Sequence, residues 1–285
     1  ESIVALDADT GERLWHFQTV HHGLWDYDVA SAPNLVDIVV DGKPIRAVAQ
    51  VSKTGFTYVF DRVSGEPVWP IEERPVPPSD VPGERAHPTQ PFPTKPAPFD
   101  RQGISEDDLI DFTPEIAAAA RELAEEFVLG PIFTPPIVRG SNGKRSTFVV
   151  PGAGGGAGYP GATVDPETGI IYIPSLTRPM GMSLIPPPDD TSEWPYLIAL
   201  DRQVGPFGLP LLKPPYRRIT AIDLNTGEHV WQIPFGKGPA NHPMLEHLDL
   251  PPLGTASSDV LHEGGVLITK TLLISYLAQK DEIDP

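Results

Sequence analysis

The sequence predicts an all-β chain built of propeller blades, about four of them, interrupted by one proline-rich and helical insertion. Three observations carry this. A unit of Asp, then Gly four residues on, then Trp four further, occurs at Asp7, Gly11 and Trp15, at Asp61, Gly65 and Trp69, and at Asp223, Gly227 and Trp231. A weaker copy runs from Asp165 through Gly169 to Tyr172. The runs flanking each unit are short, apolar and partly β-branched, as strands are.

Each unit reads as a hairpin. An apolar run ends at Asp, whose side chain can bond backbone amides and start a turn. Gly supplies a positive φ, and a second alternating run carries the aromatic ring. Asp7 and Asp61 are 54 positions apart, and Asp165 and Asp223 are 58 apart. The middle interval, 104 positions, is nearly two periods or one period plus an insertion. Units of this length suggest propeller blades, whereas a sandwich would not need a regular Trp. The recognisable units are too few to close a ring of this spacing. The whole of 1–285 therefore reads as one incomplete propeller domain, an internal fragment that begins within a repeat at Glu1.

The insertion spans roughly 70–137. Its first part holds ten prolines between Pro70 and Pro98, a composition that argues against a central strand and for an extended segment over the surface. A helix follows. Thr113 is a suitable N-cap, Pro114 fits the first turn, and Glu115 suits the positive helix end. The run from Ile116 to Phe127 has strong helical propensity, with Ile116, Ala120, Leu123 and Phe127 on one face.

Composition excludes several function classes. The formal net charge of −17 argues against a nucleic-acid or anionic-membrane partner. Without cysteine there is no disulfide, thiolate catalysis or cysteine metal site, and the eight histidines show no zinc spacing. No run approaches the length of a membrane span.

The chemistry concentrates in His21-His22-Gly23-Leu24-Trp25-Asp26-Tyr27-Asp28. A carboxylate beside an indole can be partly desolvated, which raises its basicity and suits a general base acting on an alcohol. Read alone, the segment fits a turn with solvated acids and structural aromatics equally well. Lys53 begins the next hairpin; a cation there can polarise a carbonyl, or be an exposed strand-end lysine. The glycine-rich run Pro151–Gly161 can cradle a ligand or form a surface turn, and no Lys-Ser/Thr follows it, which argues against a nucleotide P-loop.

These motifs, with Phe56–Arg62, Pro88–Phe92, Ile132–Pro136, Gly208–Pro210 and Ile219–Leu224 in order, resemble the pyrroloquinoline-quinone (PQQ)-dependent dehydrogenases, especially the branch of membrane-type glucose dehydrogenase. The resemblance implies an eight-bladed propeller of which this chain is roughly the second half. It implies that Asp26 is the catalytic base, that Trp25 and Lys53 contact the quinone, and that His21 and His22 border the substrate. It further implies a Ca²⁺ (or Mg²⁺) ion that Asp26 touches but cannot hold alone, its main ligands lying in earlier blades. Hydride would pass from a sugar or alcohol carbon to the quinone, and electrons onward to a quinone or cytochrome acceptor. The expected location is periplasmic or periplasm-facing, with any membrane anchor upstream.

Two departures stand out. The family usually has Asp after the two histidines, where this chain has Gly23. Its glycine-rich segment carries Asn-Trp where this chain has Gly158 and Tyr159. Gly158 cannot replace the amide that contacts the quinone, whereas Tyr159 could supply an aromatic wall. The competing expectation is a non-catalytic propeller used for binding or assembly.

Overall fold

The computed structural model describes residues 1–188, 192–201, 205–255 and 264–276. Four sheets follow one another as propeller blades. The first is the antiparallel pair Ser2–Leu6 and Arg13–Gln18. The second is a meander of Asn34–Val40, Lys43–Val51 and Thr57–Asp61, extended by a bridge from Phe60 to Pro67. The third is four-stranded, in the order Thr163–Val164, Ile170–Leu176, Arg217–Asp223, Glu228–Pro234. The fourth is represented by the hairpin Val266–Ile268 and Leu273–Ser275, which packs beside the third.

The repeated unit builds one kind of turn. In all four copies the Gly N–H donates to the Asp backbone carbonyl, at 2.7–2.8 Å. In all four the Gly φ lies between 73° and 77°. The Asp side chain accepts from amides two or three residues on, as Asp7 does from Asp9 and Thr10 and Asp223 does from Asn225. Trp then docks one blade on the next. Trp15 donates its indole N–H to the Arg62 carbonyl, and a Cβ on Gly65 would stand 2.6 Å from its Cγ. Trp69 lies in the same way against Gly227, where a Cβ would be 3.1 Å from its Cζ2.

That second contact corrects the spacing read from sequence. The copies at Asp165 and Asp223 are two turns of one sheet, because Ile170–Leu176 pairs with Arg217–Asp223 along its length. Their 58-position interval therefore does not separate blades. The second and third blades are direct neighbours: Val39 N–H donates to Asn225, and Val36, Ile38 and Val40 share a core with Ile171, Ile173, Ile222 and Leu224. Everything between them in sequence is one insertion.

The insertion forms structure of its own. The proline-rich stretch is not merely extended over the surface. Ile71–Pro75 and Thr89–Pro93 pair as a two-stranded antiparallel ribbon, with Gln90 and Pro91 buried. Proline is tolerated because both strands of a two-stranded ribbon are edges. The helix runs from Pro114 to Ala124, and the Thr113 hydroxyl accepts from Ile116 N–H at 3.2 Å. It stops before Phe127, which instead pairs with Ser146 in a five-stranded mixed sheet. That sheet joins Phe127–Val128, Ile137–Val138 and Ser146–Val149 of the insertion to Met180–Ile185 and Leu197–Asp201, which lie in the connection between the two central strands of the third blade. Ile116, Ala120 and Ala124 pack into a core with Phe127, Phe148, Leu209 and Leu211.

Candidate active site

Three loops converge at the ends of the blade strands. The first, residues 19–28, leaves the strand Arg13–Gln18. Its rings turn inward: Trp25 and Tyr27 are 1% and 0% exposed, stacked 6.0 Å apart and met edge-on by Phe133. Trp25 N–H donates to the Thr134 carbonyl and the Tyr27 hydroxyl to the Pro151 carbonyl. Burial pushes the Tyr27 hydroxyl far above its usual pKa, so it stays a neutral donor. With alternate residues anchored inward, Asp26 points out and is 64% exposed at its side chain. Asp26 holds φ 63°, a left-handed conformation uncommon for a non-glycine residue.

The second loop is the tight turn Ser52–Gly55. Ser52 N–H donates to the Phe56 carbonyl, and the buried Ser52 and Thr54 hydroxyls bond each other at 2.6 Å. This turn presents Lys53. Its ammonium lies 3.2 Å from Asp26 Oδ2 and also contacts Asp28 Oδ1. Burial lowers the lysine pKa, but the two carboxylates outweigh burial and the net shift is upward. Lys53 therefore stays cationic across neutral pH. An ammonium has three N–H donors; the two aspartates engage two, and no described residue claims the third.

The third loop is the glycine-rich run. Gly156 N–H donates to the Lys53 carbonyl at 2.8 Å, and Leu176 N–H donates to the Gly156 carbonyl. Gly155 has φ 75°, and a Cβ there would stand 2.3 Å from Lys53 Cγ. Glycine is thus required both by conformation and by the lysine stem beneath it. Gly156 and Gly158 line a hollow with Pro174, Ser175 and Arg217. Tyr159 is 86% exposed.

The structure thus brings Asp26 and Lys53 together, with Gly158 on the loop that packs against the lysine. Trp25, which the resemblance places against the cofactor, is buried with its ring packed on Tyr27 and Phe133. His21 and His22 lie in the turn after the strand and pair with Glu73 at 2.9 Å and Glu84 at 2.7 Å. Burial raises the Glu73 pKa, but bonds from His21 and Thr89 outweigh it and the net shift is downward.

Two contributors had no role assigned from sequence. Asp28 shares the lysine. Gln90, fully buried, accepts from His21 N–H at 2.8 Å and donates to the His21 carbonyl at 2.7 Å. An amide that pairs with a distant backbone has no local sequence signature. Among the described residues, no group of three or more His, Asp or Glu side chains is placed to hold a metal, and no helix is long and apolar enough to cross a membrane.

The family model for the β-propeller domain of PQQ-dependent glucose, ethanol and alcohol dehydrogenases matches residues 1–283. The chain belongs to this family. It is 34% identical to the quinoprotein glucose dehydrogenase of Escherichia coli K12 over 261 residues, which are 82% of this chain and 31% of that protein. It is 32% identical to the glycerol dehydrogenase large subunit of Gluconobacter oxydans 621H, over 99% of this chain and 42% of that protein. It is 29% identical to the quinate/shikimate dehydrogenase (quinone) of Acinetobacter baylyi, over 98% of this chain and 36% of that protein. The chain therefore spans less than half the length of these relatives.

Proposed function

We propose that the protein containing this chain oxidises a hydroxyl group of a sugar or simple alcohol, with PQQ as oxidant and Asp26 as base. The observation that carries the reading is the 3.2 Å contact between Lys53 Nζ and Asp26 Oδ2. An exposed carboxylate can take a proton from a substrate hydroxyl, and the ammonium beside it holds that carboxylate in place. Lys53 and the glycine-rich loop would hold the quinone: the unclaimed third N–H of Lys53 suits a quinone oxygen, and the glycines let a flat group approach backbone. When bound, PQQ supplies the two-electron acceptor for hydride from the substrate carbon. Electrons would leave to a quinone or cytochrome. In a Ca²⁺ or Mg²⁺ site Asp26 would be a single ligand among several. A periplasm-facing location goes with this chemistry.

The alternative is a non-catalytic propeller module. It is favoured by Gly158, which has no side chain, and by Tyr159, which stands in solvent. Reconstitution of the full-length protein with PQQ and Ca²⁺ separates the two. The enzyme reading expects retained quinone absorbance and dye reduction with glucose, glycerol or another alcohol. Retention of neither favours the scaffold.

A further inference from the structure

The lysine turn and the glycine-rich loop rest on a buried acid that the proposed reaction does not use. Between the ribbon and the helix of the insertion, residues 99–103 run against both. Phe99 N–H donates to the Gly55 carbonyl at 2.9 Å, the Gln102 side-chain amide donates to the Thr54 carbonyl at 2.8 Å, and Gly103 N–H donates to the Val150 carbonyl at 2.8 Å. Asp100 stands at the crossing. A Cβ on Gly55 would lie 3.4 Å from Asp100 Cβ. One on Gly156 would lie 3.1 Å from the same atom and 3.3 Å from Gly55 Cα. Turn, aspartate and loop are therefore packed too closely to admit a further side chain between them.

The Asp100 side chain is fully buried, and a buried carboxylate needs partners. Two of them come from the third blade. Oδ1 accepts from the Thr177 hydroxyl and lies 3.3 Å from Arg218 Nη2; it also accepts the Arg101 N–H at 2.7 Å. Thr177 directly follows the strand Ile170–Leu176, and Arg218 is on its neighbour Arg217–Asp223. Arg218 donates in turn to the Thr177 hydroxyl and the Pro215 carbonyl. No described residue bonds Oδ2. The carboxylate thus acts through one oxygen, which an amide oxygen can imitate.

We propose that Asp100 is a positioning residue for Lys53: it pins the lysine turn and the glycine-rich loop to the third blade, and so sets where the ammonium meets Asp26 and the quinone. The inference rests on the proposed reaction, in which orientation matters on the ångström scale.

The test uses Asp100→Asn, Asp100→Ala and Thr177→Val in the full-length protein. Asn keeps the shape and the accepting oxygen, and Ala keeps neither. Both leave the buried Arg218 without its counter-charge, so both should lower the melting temperature. A role in stability alone would make the two variants alike, whereas positioning separates them. In Asp100→Ala, hydrogen exchange of the Gly156 amide should quicken about tenfold or more, with amides of the first-blade hairpin changed less. Its kcat with glucose or glycerol should fall about tenfold or more, and PQQ should bind about tenfold more weakly by absorbance titration. Asp100→Asn should recover most of each loss. Should Asp100→Ala not fold, Thr177→Val decides: losing one donor at unchanged shape, it should quicken the Gly156 amide about threefold. Parental exchange at Gly156 in Asp100→Ala, or in Thr177→Val where Ala does not fold, overturns the proposal, as do equal losses in Asn and Ala. A parent that binds no PQQ or oxidises nothing removes the proposed reaction instead. Exchange at Gly156, measured without PQQ, then still decides whether Asp100 fixes the loop.

Discussion

Gly155 lies directly on the stem of Lys53, so close that a Cβ would come within 2.3 Å of Lys53 Cγ. The glycine-rich loop and the lysine turn are therefore one unit, joined also by the Gly156 bond to the Lys53 carbonyl. Gly155→Ala must adopt φ 75° and displace the lysine stem. It should cost about 2–4 kcal/mol in denaturant unfolding. It should also weaken PQQ retention, measured by titration of quinone absorbance. An alanine variant of parental stability and affinity would mean that the loop and the lysine are independent.

Lys53→Met keeps most of the stem and removes the charge. The carboxylates of Asp26 and Asp28 would then face each other without their shared cation. The expected result is a fall in kcat of about 10²–10³ with the fold intact, read by steady-state kinetics and circular dichroism. The lysine pKa is raised in the folded protein, so its ion pairs are present below the ordinary lysine value and are lost only as pH rises past it. Activity should not fall through lysine deprotonation anywhere between pH 6 and 9 (roughly).

Gln90→Ala removes both hydrogen bonds to the His21 backbone in a buried setting. A loss of about 2–4 kcal/mol is expected, since two backbone groups lose their partners. Gln90→Glu should rescue only the half in which the oxygen accepts. Unfolding curves of the two variants check the ordering.

Asp7 and Asp165 have lowered pKa values, Asp7 chiefly through the Thr10 N–H and Asp165 chiefly through the Thr168 hydroxyl. A carboxylate depressed in the folded state stabilises it above the unfolded value, near 4, and that contribution is lost as pH falls through the folded value. The melting temperature should therefore drop as pH falls below about 4, and less so in Asp7→Asn. A pH-independent melting curve there would show that these turns carry no linkage.

Much of the fold and of the site is legible in the sequence alone. The cap at Thr113, the Asp–Gly turns and the convergence of Asp26 with Lys53 all follow from residues whose chemistry is local or whose motif is specific. What was not legible depends on long-range pairing. Nothing in the spacing distinguishes two turns of one sheet, at Asp165 and Asp223, from turns of successive blades. The proline count around 71–93 hides a ribbon because a paired edge strand tolerates proline. Gln90 and Asp28 are ordinary polar residues whose meaning comes from what stands opposite them.

In the proposed reaction Asp26 takes the substrate proton while Lys53 holds the carboxylate in place. The most direct measurement is single-turnover reduction of the PQQ-loaded full-length protein carrying Asp26→Asn, compared with the parent. Retained quinone absorbance is expected, with reduction by substrate slowed about 10²–10⁴-fold. An Asp26→Asn protein that binds PQQ and is reduced at the parental rate would contradict it.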